Sequence, residues 1–160
     1  MIDFYNINIC PNILKMYEDS NYDTPKREED WFYKTHFPSG VDFRKIQTVC
    51  GSYYSASTLS GSELLIKICM EKFRKSLKSL VITDGTSHVG GNAIPLSFAF
   101  KKINAVEMNE KIMGMLKNNL GLYKRTNVDF YTGSYLKFVD TLQQDIIYLD
   151  PPWNGPDYKL

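Results

Sequence analysis

The sequence predicts an α/β fold built on a doubly wound parallel sheet, and three observations carry that prediction. From Ser79 onward, short apolar runs alternate with segments of helical period. Gly, Asn and Asp stand at the joints, where a strand must turn into a helix. The 160 residues hold no internal repeat or low-complexity tract, and 43% hydrophobic against 23% charged content suits one domain with a real core.

The elements follow in chain order. Residues 1–50 are irregular, with the polar stretch "EDSNYDTPKREED" from Glu18 to Asp30 and the aromatic cluster "WFYKTHF" from Trp31 to Phe37, broken by Pro38 and Gly40. They are expected to form an N-terminal extension packed on a main domain of residues 51–160. Ser60 to Lys78 has helical period, with Leu64, Leu65, Ile68, Cys69, Phe73 and Leu77 on one face and Ser60 with Glu63 forming a capping box. Its basic residues read as a solvated face. "SLVITDG" (Ser79 to Gly85) is a short buried strand and "GGNAIPLSFAF" (Gly90 to Phe100) a helix, with Pro95 tolerable in its first turn. "INAVEMN" (Ile103 to Asn109) is a second strand, and Glu110 to Tyr123 a helix that Gly121 should stop. Asn127 to Tyr135 and Asp145 to Asp150 are third and fourth strands with a shorter helical piece between them.

Composition narrows the function. A formal net charge of +1 and an isoelectric point near 7.6 give no global steering toward nucleic acid, so an anionic partner must be held by a local patch. Cys10, Cys50 and Cys69 are odd in number and widely spaced, which suggests neither a disulfide framework nor a metal site. With no signal-like N-terminus and no apolar run near the roughly 18 residues a membrane span needs, a soluble intracellular protein with no membrane partner is expected.

In an open parallel sheet ligands sit beyond the carboxyl ends of the strands. After the first strand stands "DGTSHVGGN", Asp84 to Asn92. Its glycines allow close backbone approach to a ligand, but it matches neither a Walker loop nor a GxGxxG fingerprint, so a tight structural turn fits as well as a cofactor loop. Glu107 ends the second strand about twenty residues on, where an acid can accept from ribose hydroxyls or simply favour the start of the next helix. The fourth strand runs into "DPPW". Two prolines remove two donors and leave Asp150 and nearby carbonyls as an acceptor-rich site able to hold an exocyclic amine, with Trp153 as a stacking face. The bland alternative is a rigid turn with a core tryptophan.

This order of glycine turn, ribose acid and Pro-Pro-aromatic resembles the Rossmann-like class I S-adenosylmethionine-dependent methyltransferases that act on exocyclic amines. "VGGN" at Val89 to Asn92 and "PPWNGPDY" at Pro151 to Tyr158 are similar to the trimethylguanosine synthases, which methylate guanine N2 of the 7-methylguanosine RNA cap. The resemblance covers roughly residues 52 to 158. It implies S-adenosyl-L-methionine as cofactor, with Asp84, Gly85, Gly90, Gly91 and Asn92 toward its methionine part, Glu107 toward its ribose and Ser134 near its adenine. It further implies Asp150 and Pro151 as holders of the target amine, Trp153 against the guanine, no metal, and capped RNA or another nucleic acid as partner. Tyr53, Tyr54 and Ser55 lie where the family has a segment covering the cofactor. Three departures stand out: His88 replaces a glycine, Ser134 an aspartate and Asp150 a serine. The last spelling is shared with adenine-N6 enzymes, so an adenine or other base amine in DNA or RNA is the alternative substrate, and a non-catalytic cofactor- or cap-binding module the alternative class. The fold is expected to be cut short after its fourth strand, or completed by another chain. The loop spelling is similar to methyltransferase-like proteins of large DNA viruses, which would place the protein in a host cytoplasm, as against a nucleus or cytoplasm otherwise.

Overall fold

The computed structural model describes residues 25–50 and 52–151. Trp153 and the rest of "PWNGPDY" lie outside the described residues. Four parallel strands form the central sheet: β3 (Val81–Asp84), β4 (Lys102–Glu107), β5 (Val128–Thr132) and β6 (Ile146–Tyr148), in the spatial order β5-β4-β3-β6. The registers pair Asp84 with Ala105 on one side and Tyr148 on the other, and Glu107 with Thr132. The chain builds outward from β3 to β5 and then crosses back to place β6 on the other flank. The carboxyl end of β3 is therefore the switch point where connections diverge and a crevice opens.

Two helices make the crossovers. The α4 helix (Ala93–Ala99) joins β3 to β4 and is buried along most of its length, Ala93 through Ser97 included. Pro95 sits in its first turn, where no intrahelical N–H is needed. The α5 helix (Glu110–Leu122) joins β4 to β5 and begins on Asn109, whose side-chain oxygen accepts from Lys111 N at 2.9 Å and Ile112 N at 3.3 Å. Gly121 lies inside this helix. The turn that ends it is made by Lys124, at φ 52°, with Arg125 N reaching back to Leu120 O. A lysine in the left-handed region shows that a C-terminal turn can form without the expected glycine, at a cost of about 1–2 kcal/mol.

The long helix also differs from expectation. It is α3, Leu59–Lys72, capped by Thr58, whose hydroxyl accepts from Gly61 N at 3.2 Å; Ser60 and Glu63 form no capping box. It ends at Phe73, and a separate 3-10 turn, Leu77–Ser79, leads into β3. Leu64 and Ile68 are 57% and 44% exposed, so the buried seam runs instead through Ser62, Leu65, Ile66 and Cys69. Their apolar period is helical, but only one side of the helix meets α4 and the extension.

The described part of residues 25–50 has regular structure. A two-residue strand β1 (Pro25–Lys26) pairs antiparallel with β2 (Thr48–Val49), and α1 (Asp30–His36) lies between them. Phe32, Tyr33, Phe37, Ile46 and Val49 from this region join one hydrophobic cluster with Leu80, Ile82, Ile94, Leu96, Ile103, Ile112 and Leu116 of the sheet and its helices. Phe32 is fully buried and stacks on His36 at 4.1 Å. No helix among the described residues is long and apolar enough to cross a membrane.

Because Phe32 belongs to the same core as the sheet, Phe32→Ala is expected to lower global stability by about 3–5 kcal/mol in urea unfolding. A separate early transition, with the main transition unmoved, would show that the extension folds independently.

Candidate active site

The turn after β3, the segment 55–57 and the residue that follows β6 and Leu149 meet at one small polar cavity. Its volume is about 10 Å³, and it is lined by Ser55–Ser57 on one side, Thr86, Ser87, His88, Gly91 and Asn92 on the other, and Asp150 at its mouth. Ser55 ends the short helix α2 (Ser52–Ser55), which Ser52 anchors through its hydroxyl to Val49 N at 2.9 Å.

The turn Gly85–Asn92 is pinned at both ends. Gly85 N donates to Tyr148 O at 3.0 Å and Ser87 N to Val106 O at 2.8 Å, so the turn bridges β6 and β4. A Cβ at Gly85 would lie 2.3 Å from a Leu149 methyl and 3.1 Å from the Tyr135 ring. At Gly91 a Cβ would meet the backbone N and O of Ser57 at 2.9 Å, so glycine here is what lets residues 55–57 lie directly on the turn. Gly90 adopts φ 105° against Ile94 and Leu116. His88 adopts φ 47°, the region the corresponding glycine would enter freely, and its ring is buried. Burial pushes that imidazole down to about 4, so it is neutral at ordinary pH.

Asn92 precedes α4 but does not cap it with its side chain. The amide works across the cavity instead: Nδ2 donates to Ser57 Oγ at 2.7 Å and Oδ1 accepts from Ser62 Oγ at 2.8 Å, while Ser62 also donates to Gly91 O at 3.1 Å. Local helix geometry yields here to the fastening of residues 57 and 62 onto the turn.

Three acids gather at this edge. Glu107 is buried, with Oε2 accepting from His88 N at 3.0 Å and Oε1 from Asn109 N at 2.8 Å. Burial raises its carboxyl, and these N–H donors pull it back. Asp84 is 1% exposed; Oδ1 accepts from Thr86 N at 3.3 Å, and its Oδ2 is buried with no hydrogen-bond partner. Burial first, then the charges of Glu107 and Asp150, push Asp84 up to about 7, against the hydrogen bond from Thr86; the Ser87 hydroxyl donates to the Asp84 backbone carbonyl at 2.9 Å. Asp150 is exposed, and its backbone N donates to Thr86 Oγ1 at 3.0 Å. Pro151 follows it at the surface.

The structure thus brings together Asp84, Gly85, Gly90, Gly91, Asn92, Glu107, Asp150 and Pro151 at one edge of the sheet. Ser134 is half-buried at the end of β5, next to Gly133, whose N donates to Glu107 O; like Asp84, Gly85, Gly90, Glu107 and Pro151 it does not line the cavity itself. Sequence reasoning missed Thr86, Ser87, Ser57 and Ser62; only hydroxyls inside or facing a glycine turn could have signalled them. Among the described residues no group of three or more His, Cys, Asp or Glu is placed to hold a metal ion.

A family model described as RNA cap guanine-N2 methyltransferase matches residues 79–160, just over half of the chain. An uncharacterized protein of Acanthamoeba polyphaga mimivirus is 42% identical over 86 residues, which cover 52% of this chain and 34% of that relative. The chain therefore aligns with about a third of the length of that curated relative. Among solved structures, a precorrin-6y C5,15-methyltransferase from Geobacter metallireducens superposes with TM-score 0.55 at 20% identity, covering 71% of this chain and 58% of that one. An O-methyltransferase from Bacillus cereus, in complex with SAH, gives 0.53 at 14% identity, covering 62% and 48%. These likenesses show the fold, a Rossmann-like class I methyltransferase sheet.

The raised Asp84 carboxyl has a stability consequence. Between the ordinary value of 3.8 and about 7 the folded protein keeps a proton that the unfolded chain has released. That contribution is present at low pH and is lost as pH rises through this window. His88 and Glu107 titrate in both proteins when wild type is compared with the isosteric Asp84→Asn, so the difference reports the Asp84 proton together with its coupling to Glu107. The variant's thermal midpoint is expected to climb relative to wild type from about pH 4 to pH 7, by about 3 °C or more, and then level off. A difference that stays constant across that range, read by calorimetry, would contradict the assignment.

Proposed function

The chain belongs to the RNA cap guanine-N2 methyltransferase family, and from that premise we propose that it transfers a methyl group from S-adenosyl-L-methionine to guanine N2 of a 7-methylguanosine RNA cap. The observation that carries the reading is Asp84 Oδ2, a buried acceptor without a partner beneath the glycine turn at the switch point. A buried carboxylate oxygen gains most from a cationic partner, and the ammonium and sulfonium of this cofactor are both cationic. The donor and acceptor set fits the cofactor in kind: an acid for an ammonium, a close backbone turn, and a second acid one strand over for hydroxyls.

In this reading Asp84 and the Gly85–Asn92 turn hold the methionine part. Glu107 already accepts from two backbone N–H groups and has lone pairs left for the ribose. Ser57 and its neighbours close over the cofactor, so the strap must lift for a ligand this large to pass into a space of about 10 Å³. When bound, the cofactor supplies a methyl group on a sulfonium, already electrophilic enough to need no activation by the protein.

What remains for the chain is positioning and the exclusion of water. Asp150 accepts hydrogens of the target amine, leaves its lone pair aimed inward and offsets positive charge as the nitrogen is alkylated. Pro151, lacking an N–H, leaves this corner rich in acceptors. The resemblance assigns Trp153, which lies outside the described residues, to stacking on the 7-methylguanine, whose positive charge would strengthen attraction to a ring face.

The test offers labelled cofactor with 7-methylguanosine-capped RNA and, separately, with an adenine-containing oligonucleotide. Label in the cap is expected; label only in adenine would move the enzyme to the base-amine class that Asp150 also suits, and cofactor binding without transfer to either would make the chain a binding module. Asp150→Ala is expected to reduce transfer at least about 100-fold while leaving SAH affinity within about threefold. Near-normal turnover by that variant would remove Asp150 from the amine site.

A further inference from the structure

One buried side chain that does not line the cavity joins the two segments that do. Asn119, on α5, is completely buried, and its amide is fully used. Oδ1 accepts from Gln47 N at 2.8 Å and from Asn118 Nδ2 at 3.1 Å, while Nδ2 donates to Gln47 O at 2.8 Å and to Val89 O at 2.9 Å. Asn118 Nδ2 also donates to Lys45 O at 3.0 Å. One amide thus ties the backbone of the N-terminal extension to the backbone of the glycine turn.

Both arms lead from this point to opposite walls of the cavity. One runs from Gln47 through β2 to Val49, whose N–H is held by Ser52, and through α2 to Ser57. The other runs from Val89, between His88 at φ 47° and Gly90 at φ 105°, to Gly91. The arms meet again where Ser57 lies on Gly91 and receives Asn92 Nδ2. Asn119 is the pin at the closed end of this loop, and Asn92 the latch at its open end.

We infer that Asn119 is a positioning residue that sets the width of the cofactor cleft by fixing the extension to the glycine turn, an inference that rests on the cofactor reading above. A hydrogen-bonded backbone pair in the left-handed region has few alternative conformations, so holding Val89 O also holds the unusual His88 and Gly90 dihedrals. Among the described residues the arm from Gln47 has no sheet partner beyond the two-residue pairing of β1 with β2, so the amide, with two hydrogen bonds to Gln47, is its main polar anchor to α5.

The variant Asn119→Asp keeps size and the acceptor to Gln47 N but loses both donors. A buried control that loses the same kind of donors is Asn104→Asp, since Asn104 Nδ2 donates to Thr83 Oγ1 at 3.0 Å and Gln143 O at 2.9 Å. Both are expected to lose stability. At a temperature where each is folded by circular dichroism, Asn119→Asp should weaken SAH binding about tenfold and raise the cofactor KM equally, with kcat within about twofold; Asn104→Asp should leave SAH affinity within about twofold. Equal effects of the two variants would reduce Asn119 to a stability residue and overturn the inference.

Hydrogen exchange supplies arms that need no turnover. In the ligand-free proteins, Asn119→Asp should speed exchange at the amides of both Ala56 and Gly90, and Asn104→Asp at neither; unchanged rates in Asn119→Asp overturn the clasp. In the wild-type protein, SAH should slow the Gln47 amide together with Gly90, and a Gln47 amide indifferent to SAH overturns it too, even if Asn119→Asp does not fold. A wild-type protein that binds no SAH would sink the cofactor reading instead, and the ligand-free exchange would still decide whether Asn119 holds the two arms.

Discussion

A buried carboxylate at the end of β4 is the constraint on which the site's shape depends. Glu107 reaches sideways to the turn after β3 through His88 N and forward to the start of α5 through Asn109 N. Burying a carboxylate is costly unless N–H donors replace its water, and hydrogen bonds to a charged group return about 1.5–3 kcal/mol each. The turn's path is thus fixed by the electrostatic needs of one side chain. The backbone adds to the same knot, since Gly133 N donates to Glu107 O and draws the end of β5 alongside.

The parts of the fold legible in the sequence were those set by local rules. Strands buried among parallel neighbours read as apolar runs, and Asp84, Glu107 and Asp150 could be placed at strand ends from chain order alone. The glycine turn announced itself because Gly90 and Gly91 do what only glycine does easily: one holds a positive φ, the other leaves room for the Ser57 backbone. Helix ends were less legible because several groups compete for them. Thr58 took the cap that Ser60 could have made, and Lys124 the left-handed turn assigned to Gly121. Leu64 and Ile68 followed the helical period yet stayed exposed, since period says which residues share a face and nothing of what covers it. Contacts between distant segments carried no signal at all: Asn119 meets Gln47 from 72 residues away, and its type suits a helix surface as readily as a buried clasp.

The cavity's closure bears on how any ligand binds. Residues 55–57 rest on the turn through a main-chain approach at Gly91 and the side-chain hydrogen bond from Asn92 to Ser57, while Ser62 ties the following helix to the same turn. A cofactor must displace those contacts or use an already open fraction of molecules, and its apparent affinity falls by that fraction. His88 adds to the effect. A non-glycine residue at positive φ narrows the conformations open to the turn, so the turn gives less and the strap must move more.

The three acids also bias what the site accepts. Asp84, Glu107 and Asp150 crowd one edge of a protein whose overall charge is only +1, and burial raises the carboxyls of Asp84 and Glu107, so a cation entering the cleft would draw them toward their charged forms. That coupling rewards cations. In the proposed reaction the cofactor arrives with a positive sulfur and the 7-methylguanine with a positive ring, and both gain from the same acids. A cofactor held as proposed would lose the positive charge at sulfur together with its methyl group, and with it part of the attraction to Asp84. In that reading the electrostatics would discriminate substrate from product where shape alone would not, through Asp84 Oδ2, a buried carboxylate oxygen with no hydrogen-bond partner.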